Sequence, residues 1–359
     1  MASDAISDPA RSNPALSDYD PSGIGQLNGN FCGLPFDYDS AKLIIIGVPW
    51  EVTVSYGGGT ALGPQQVLDA SPQLDLYDFD HPDGWQQGIF MPEIDRSILQ
   101  QSESYKAQAA QIIDRLEQGR SLTELPDLSD ALNNINRACE SMNRWLFEQC
   151  TTAIAQGKRV AVVGGDHSSP LGYFQAQAAH HDNFGILHID AHADLRDAYE
   201  GFKYSHASIM FNALAIPQVS KLVQVGLRDI CIDEVNLIND ANPRVIAFYD
   251  RDIKQQLYTG QTWQTLCQDM IQNLPQKVHI SYDVDGLDPK LCPATGTPVP
   301  GGLELEQTFY LFSELIRSGR EIIGFDLCEV GNAEWDGNVG ARIVYKLANL
   351  MDLSRSDST

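Results

Sequence analysis

The chain has 359 residues, with 48 acidic against 24 basic side chains and a formal net charge of −24. That balance excludes nucleic acid as a partner and suits a protein that draws small cations towards itself. Hydrophobic residues make up 43 %, enough for one large α/β domain with a substantial core. No apolar run is long enough to span a bilayer, so no membrane contact is expected.

Residues 1–22 are rich in Ser, Asp, Pro and Ala and read as a mobile arm ahead of a single domain over 23–359. The first residues lack the basic and apolar regions of a signal peptide. Seven irregularly spaced cysteines suit a reducing, cytoplasmic setting. Residues 42–49 read as a strand buried on both faces. A glycine-rich loop follows at 55–64, and Pro64 can start a short helix to Leu68. No Gly-Lys-Ser/Thr follows the loop, so it is not a nucleotide cradle.

Residues 80–135 are polar and weakly periodic and read as an insertion or lid with short helices. The spacing of Met142, Leu146, Cys150 and Ile154 marks an amphipathic helix that closes at Gly157. Strands are predicted at 159–163, 186–194, 222–227, 244–248, 278–285 and 322–327. Helices are predicted around 173–179, 263–274, 307–316 and 342–351. This alternation implies a mostly parallel sheet covered on both faces. In such sheets ligands collect at the carboxyl ends of the strands. His167, Asp190, His192, Asp194, Asp283, Asp285 and Glu329 all sit at or just after such ends.

Two segments stand out. Asp190, His192 and Asp194 recur at every second position, as do Asp283 and Asp285. In an extended chain such positions share a face. Four buried carboxylates crowded together are costly unless cations neutralise them, and their charge balances two divalent ions. With His167 the candidate ligands are His167, Asp190, His192, Asp194, Asp283 and Asp285, all oxygen or nitrogen donors. That set favours manganese, nickel, cobalt or a hydrolytic zinc over a thiolate site. Asp288, before Pro289, reads as a turn residue, and Asp166 as a turn residue or a support to the ligands. His188 reads as a buried residue beneath Asp190.

Gly164-Gly165-Asp166-His167, Asp190-Ala191-His192-Ala193-Asp194 and Ser281-Tyr282-Asp283-Val284-Asp285-Gly286-Leu287-Asp288-Pro289 resemble the three metal signatures of the ureohydrolases, the family of arginase and agmatinase. The resemblance runs from about residue 40 to about residue 350. It implies an arginase-like three-layer α/β/α fold, two divalent ions (Ni2+ or Mn2+) and hydrolysis of a guanidino carbon–nitrogen bond with release of urea. By matching position the six candidate ligands hold the ions. Tyr204-Ser205-His206-Ala207-Ser208 is similar to the segment that carries a proton-shuttling histidine, which makes His206 the shuttle. Asp326-Leu327-Cys328-Glu329-Val330 resembles the segment whose glutamate receives the guanidinium group, which gives Glu329 that role. Asp194 would also carry a proton to the departing nitrogen.

The chain departs from agmatinase relatives at Gly59-Thr60-Ala61-Leu62-Gly63-Pro64, where an Arg is usual. It departs again at Gly301-Gly302-Leu303-Glu304 and at Glu329-Val330-Gly331-Asn332. These changes resemble the guanidine hydrolase subgroup known from cyanobacteria, for which nickel is the implied metal. Thr60 and Trp335 are candidates for the wall of a short pocket, with Trp335 able to close over a small planar cation. The expected reaction is guanidine to urea and ammonia. The alternatives are agmatine or a guanidino acid as substrate and, further off, a formiminoglutamase, a mononuclear zinc deacetylase or a non-catalytic metal-binding homologue. The family also implies a homo-oligomer, trimer or hexamer, and a metal-loading accessory protein is a further candidate partner.

Overall fold

The structure is a computed structural model and describes residues 19–124 and 128–356. Residues 1–18 of the expected mobile arm lie outside the described residues. Tyr19, within the arm's expected span, packs its ring 5.3 Å from that of Trp85.

Among the described residues eight strands form one sheet, and every pairing in it is parallel. They are β1 (Leu43–Val48), β2 (Ile89–Phe90), β3 (Arg159–Gly164), β4 (Phe184–Ile189), β5 (Val219–Leu227), β6 (Val245–Tyr249), β7 (Lys277–Asp283) and β8 (Glu321–Cys328). Their order is β2-β1-β3-β8-β7-β4-β5-β6. The inner strands are buried because both faces are covered; in β1, β3 and β4 every residue is buried, polar ones such as Arg159 and His188 included.

The helices are α1 (Gly63–Ala70), α2 (Arg96–Glu117), α3 (Ser129–Ala155), α4 (Leu171–His180), α5 (Ile209–Leu214), α6 (Ile232–Asp240), α7 (Asp250–Tyr258), α8 (Trp263–Ile271), α9 (Leu305–Arg317) and α10 (Glu334–Ser356). One group runs α8-α9-α10-α1, with α10 laid on β8; the other runs α2-α3-α4-α5. Between them they give the α/β/α layering. Helix α6 borders β6, and α7 borders both β5 and β6. Among the described residues no helix is long and apolar enough to cross a membrane, and all seven cysteines are free thiols.

The 80–135 region differs from the short helices expected there. It holds the 22-residue α2, whose start is capped by the Asp95 carboxylate accepting from Ser97 and Ile98 N–H. Ile98, Ser102, Ala109, Ile112 and Ile113 are buried, and α2 packs on α3. The region is therefore part of the covering layer. Helices α3 and α10 also start earlier than their apolar spacing suggests. The first turn of α3 is polar and its packing begins further on, whereas α10 already buries Asp336 and Gly337 in its first turn.

The order of strands places the site. Strands β3, β8, β7 and β4 are successive neighbours in the middle of the sheet. His167, Glu329 and Asp190 follow the carboxyl ends of β3, β8 and β4, and Asp283 is the last residue of β7.

Candidate metal centre

The chain leaves β3 through Gly164-Gly165-Asp166-His167. A Cβ on Gly165 would fall 2.0 Å from the Trp50 carbonyl oxygen, so only glycine lets the two backbones meet. Asp166 closes the turn: its backbone N–H donates to the Trp50 carbonyl at 2.8 Å, and its carboxylate accepts from Ser168 N–H at 2.9 Å. Burial pushes the Asp166 carboxyl up to about 6. The turn delivers the His167 imidazole, 1 % exposed, into the space above β7 and β4.

His167 Nδ1 lies 3.1 Å from Asp190 Oδ2, 3.2 Å from Asp194 Oδ2 and 3.3 Å from Asp283 Oδ2. A second group lies alongside. His192 Nδ1 is 3.0 Å from Asp285 Oδ2 and 3.5 Å from Asp190 Oδ1. Asp190 thus reaches both groups, one oxygen to each. All six residues expected to hold metal are brought together.

The backbone that unites them is not the extended strand the spacing suggests. Strand β4 ends at Ile189 and β7 at Asp283. Asp285 sits in the turn Val284–Gly286, with its N–H donated to the Asp283 carboxylate at 2.8 Å. A Cβ on Gly286 would come within 2.7 Å of the Asp190 nitrogen, so the two loops touch there. Asp194 adopts φ +55°, in the left-handed region. Such a residue costs about 1–2 kcal/mol, and the neighbourhood holds it: Met210 and Phe211 N–H donate to its carbonyl at 3.0 and 3.1 Å. Loop curvature, not strand alternation, turns Asp194 back towards His167.

Crowding shows in the electrostatics. Burial and the carboxylates of Asp285 and Asp190 push Asp283 well above the usual carboxyl range. Burial and Asp190 push Asp194 up to about 6. Burial works against an ionised Asp190 too, but His188, His167 and His192 overcome it and hold that group well below its ordinary value. This set fits a pair of divalent cations. The donors are carboxylate oxygens and imidazole nitrogens; those of Asp190, His192 and Asp285 lie within 4.8 Å of one another, as do those of His167, His188, Asp190 and Asp194.

Beneath the ligands runs a chain of polar contacts that sequence reasoning missed. His167 Nε2 lies 2.9 Å from Ser281 Oγ, which donates to Asp326 Oδ1 at 3.0 Å. Asp326 Oδ2 meets His279 Nε2 at 2.8 Å. His188 Nε2 lies 2.8 Å from Asp190 Oδ2, where a buried support was expected. The period-two spacing of His279, Ser281 and Asp283 was the available signal. Asp326 joins them only because it is the register partner of Ser281 across β7 and β8.

Glu329 adopts φ +64°. Its Oε1 accepts the His167 N–H at 2.9 Å, and its carbonyl accepts from Thr295 Oγ1 at 2.8 Å. Burial and Asp283 push its carboxyl well above the ordinary value. His206 is half-buried and lines a cavity of about 180 Å3 that opens on His192 and Asp194. Burial and the neighbouring His192 hold its imidazole down at about 4.

Glu329 is not among the residues that line this cavity, and neither are the two remaining candidates. Trp335 is 55 % exposed on the first turn of α10, and its Nε1 donates to the Lys290 carbonyl at 3.3 Å. The helix start turns the indole outward, so Trp335 does not close the cavity. Thr60 is buried, its hydroxyl has no partner, and it is not on the cavity wall. Its loop instead packs against the chain after Glu329, with Gly59 against Asn332 and Gly63 against Val330.

A parallel α/β/α sheet with an acidic, imidazole-bearing cluster at its carboxyl rim defines a metal-dependent hydrolase class. The Arginase family profile matches residues 41–349, and the chain belongs to that family. Its members are hydrolases of carbon–nitrogen bonds in linear amidines with a binuclear divalent metal centre. Among relatives, an N(1)-aminopropylagmatine ureohydrolase of Synechocystis sp. is 28 % identical over 316 residues, covering 86 % of this chain and 89 % of that one. A guanidinobutyrase of Pseudomonas aeruginosa is 25 % identical, covering 87 % of each. The agmatine ureohydrolase of Thermoplasma volcanium shares the fold with a TM-score of 0.66 at 19 % identity, over 96 % of this chain and 98 % of that one.

Proposed function

We propose that this chain hydrolyses guanidine to urea and ammonia at the two-metal cluster, with Ni2+ or Mn2+ as its ions. The observation that carries the reading is the size of the cavity over His192 and Asp194, about 180 Å3. That is below the roughly 300–1,000 Å3 of ordinary ligand pockets and suits a small planar cation. The names of the relatives favour a second reading, a longer guanidino substrate such as agmatine, aminopropylagmatine or guanidinobutyrate.

His167, Asp190, Asp194 and Asp283 would hold one ion and Asp190, His192 and Asp285 the other. A bound pair of divalent ions supplies hydroxide from water near neutral pH and takes up developing negative charge. Glu329 orients the guanidinium by charge-assisted hydrogen bonds. A buried carboxylate that burial alone disfavours gains most from a cationic partner. The carboxylate of Asp194 takes the proton released in the attack and passes it to the departing nitrogen. His206, held neutral, carries protons between the site and the solvent of the cavity. The same reading carries a cytoplasmic homo-oligomer, trimer or hexamer, loaded by an accessory protein.

The test is urea release from guanidine, agmatine, guanidinobutyrate and arginine after loading with nickel or with manganese. Guanidine is expected to give the highest kcat/KM with one of the two metals. Asp283→Ala is expected to lose bound metal and more than about 100-fold in urea release, beyond the cost of losing an outer partner of a ligand. Faster turnover of agmatine than of guanidine with both metals overturns the substrate; full metal content in Asp283→Ala overturns the ligand.

A further inference from the structure

The geometry points to Arg196 as the residue that sets the charge of the substrate: it selects against guanidino compounds whose tail carries a second positive charge. The inference rests on the hydrolase reading above and names a specificity determinant for that same site.

Arg196 lies two residues beyond Asp194 and lines the cavity together with His192, Asp194, Tyr199 and His206. Its backbone N–H donates to the Ala207 carbonyl at 3.0 Å, which fixes the start of the side chain beside His206. The guanidinium lies over the Tyr199 ring, 4.8 Å from its centroid. Tyr199 in turn meets His206 edge-on, with ring centroids 6.3 Å apart. Arg196, Tyr199 and His206 thus form one wall of the cavity that opens on His192 and Asp194.

Arg196 is half-buried, yet no ion pair joins its guanidinium to a carboxylate among the described residues. Besides the candidate ligand Asp194, two acidic residues share the cavity. Glu234 is turned to the backbone: its oxygens accept N–H groups of Leu195 and Cys231, each at 3.1 Å. Asp229 is exposed at the rim and makes no ion pair with Arg196. Glu200, on the same loop, feels the Arg196 charge, which favours its ionised form, but makes no ion pair with it.

Further in, the four ligand carboxylates match two divalent ions, and Glu329 matches the guanidinium of the substrate. Arg196 is the one Lys or Arg among the residues that line the cavity, and no carboxylate is paired with it, so its guanidinium faces whatever tail reaches that wall. An ammonium in the same small cavity would meet it across a few ångströms of partly excluded water. At that range like charges cost on the order of 10- to 100-fold in binding. The net charge of −24 draws any cation to the molecule, so discrimination between one and two positive charges has to be made locally.

The test separates charge from size with two ligands of one shape, agmatine and pentylguanidine, in which a methyl group replaces the ammonium. Binding to the metal-loaded protein is measured by calorimetry and urea release by kcat/KM. The native protein is expected to prefer pentylguanidine by tenfold or more. Arg196→Gln is expected to lower that preference at least tenfold and Arg196→Glu to lower it further, while Arg196→Lys keeps it. A purely structural role for Arg196 would change both ligands by one factor, and that outcome overturns the inference. So does binding of neither ligand, since no tail would then reach Arg196. Charge preference in binding with no urea released from any guanidino compound sinks the hydrolase reading and leaves Arg196 standing.

Discussion

His167 is held from both sides. Its Nδ1 faces three carboxylates, and its Nε2 faces a hydroxyl already committed as a donor to Asp326. Ser281 has one hydrogen to give and gives it to the carboxylate. Its oxygen therefore accepts from His167 Nε2–H, and the network assigns the proton to that nitrogen. The other nitrogen is left as a lone-pair donor towards the metal side. Ser281→Ala removes the contact without touching a ligand. It is expected to weaken metal affinity by about 10- to 100-fold, read by competition with a chelator, while the melting temperature of the metal-free protein stays close to the native value. Unchanged affinity would mean that packing alone orients the ring.

Single residues were legible where chemistry clusters in one short segment. The six candidate ligands that the structure brings together came from three motifs, and the candidates Glu329 and His206 from two more. Ser281 and Asp326 escaped because their contact crosses two strands 45 residues apart in sequence. Trp335 was misplaced because an aromatic near Glu329 in sequence says nothing of which way a helix start turns it.

Among elements, the loop between β1 and α1 is shaped by one buried carboxylate. Glu51, 2 % exposed, accepts Gly59 N–H at 2.9 and 3.1 Å and Ala61 N–H at 3.2 Å. Helix α2 reaches in twice: Ser102 Oγ accepts Glu51 N–H at 2.8 Å, and Lys106 Nζ lies 2.8 Å from Glu51 Oε1. The loop is thereby closed down on the chain that follows Glu329, and α2 belongs to its support. The sequence half-hid this because the inward positions of α2, Ile98, Ser102, Tyr105, Ala109, Ile112 and Leu116, keep a helical period but include a serine and an alanine, which weakens the apolar signal.

Magnitudes separate the two kinds of contact. Glu51→Ala strands two backbone N–H groups and an ammonium, at a cost of about 2–4 kcal/mol. Lys106 is 37 % exposed, so Lys106→Met is expected to cost only about 1 kcal/mol. Urea denaturation of the two variants checks the order. Equal losses would show that the ion pair, and not the carboxylate's grip on the backbone, shapes the loop.

At the scale of the whole molecule, strand–helix alternation made the parallel sheet legible. The strand order was not, because β7 and β8 are inserted between β3 and β4 and no local signal records that. Closure comes from the other end of the chain. Helix α10 lies on β8 and α1 and pins distant segments: Tyr345 donates to the Leu76 carbonyl at 2.6 Å, and Lys346 meets Asp78 at 2.9 Å. Asp352 lies 2.6 Å from Arg159 Nη2, at the start of β3, and 2.9 Å from His81 Nε2.

Burial opposes the charge of Asp352, but His81 and Arg159 outweigh it and hold the carboxyl down at about 2, against 3.8 when unfolded. A depressed folded value means stability that is complete above pH about 4 and is lost as the pH falls from there towards 2. The shift corresponds to roughly 2.5 kcal/mol, and partial exposure of the pair to solvent reduces this to roughly 1 kcal/mol. Asp352→Asn should therefore unfold more easily than the native chain by about that amount at pH 6–7. The gap between the two should narrow steadily below pH 4, whatever the other carboxylates do to both. Denaturant midpoints taken at steps from pH 7 to pH 2.5 measure it. A gap that stays constant across that range would mean that shape, rather than charge, makes Asp352 the clasp between α10 and β3.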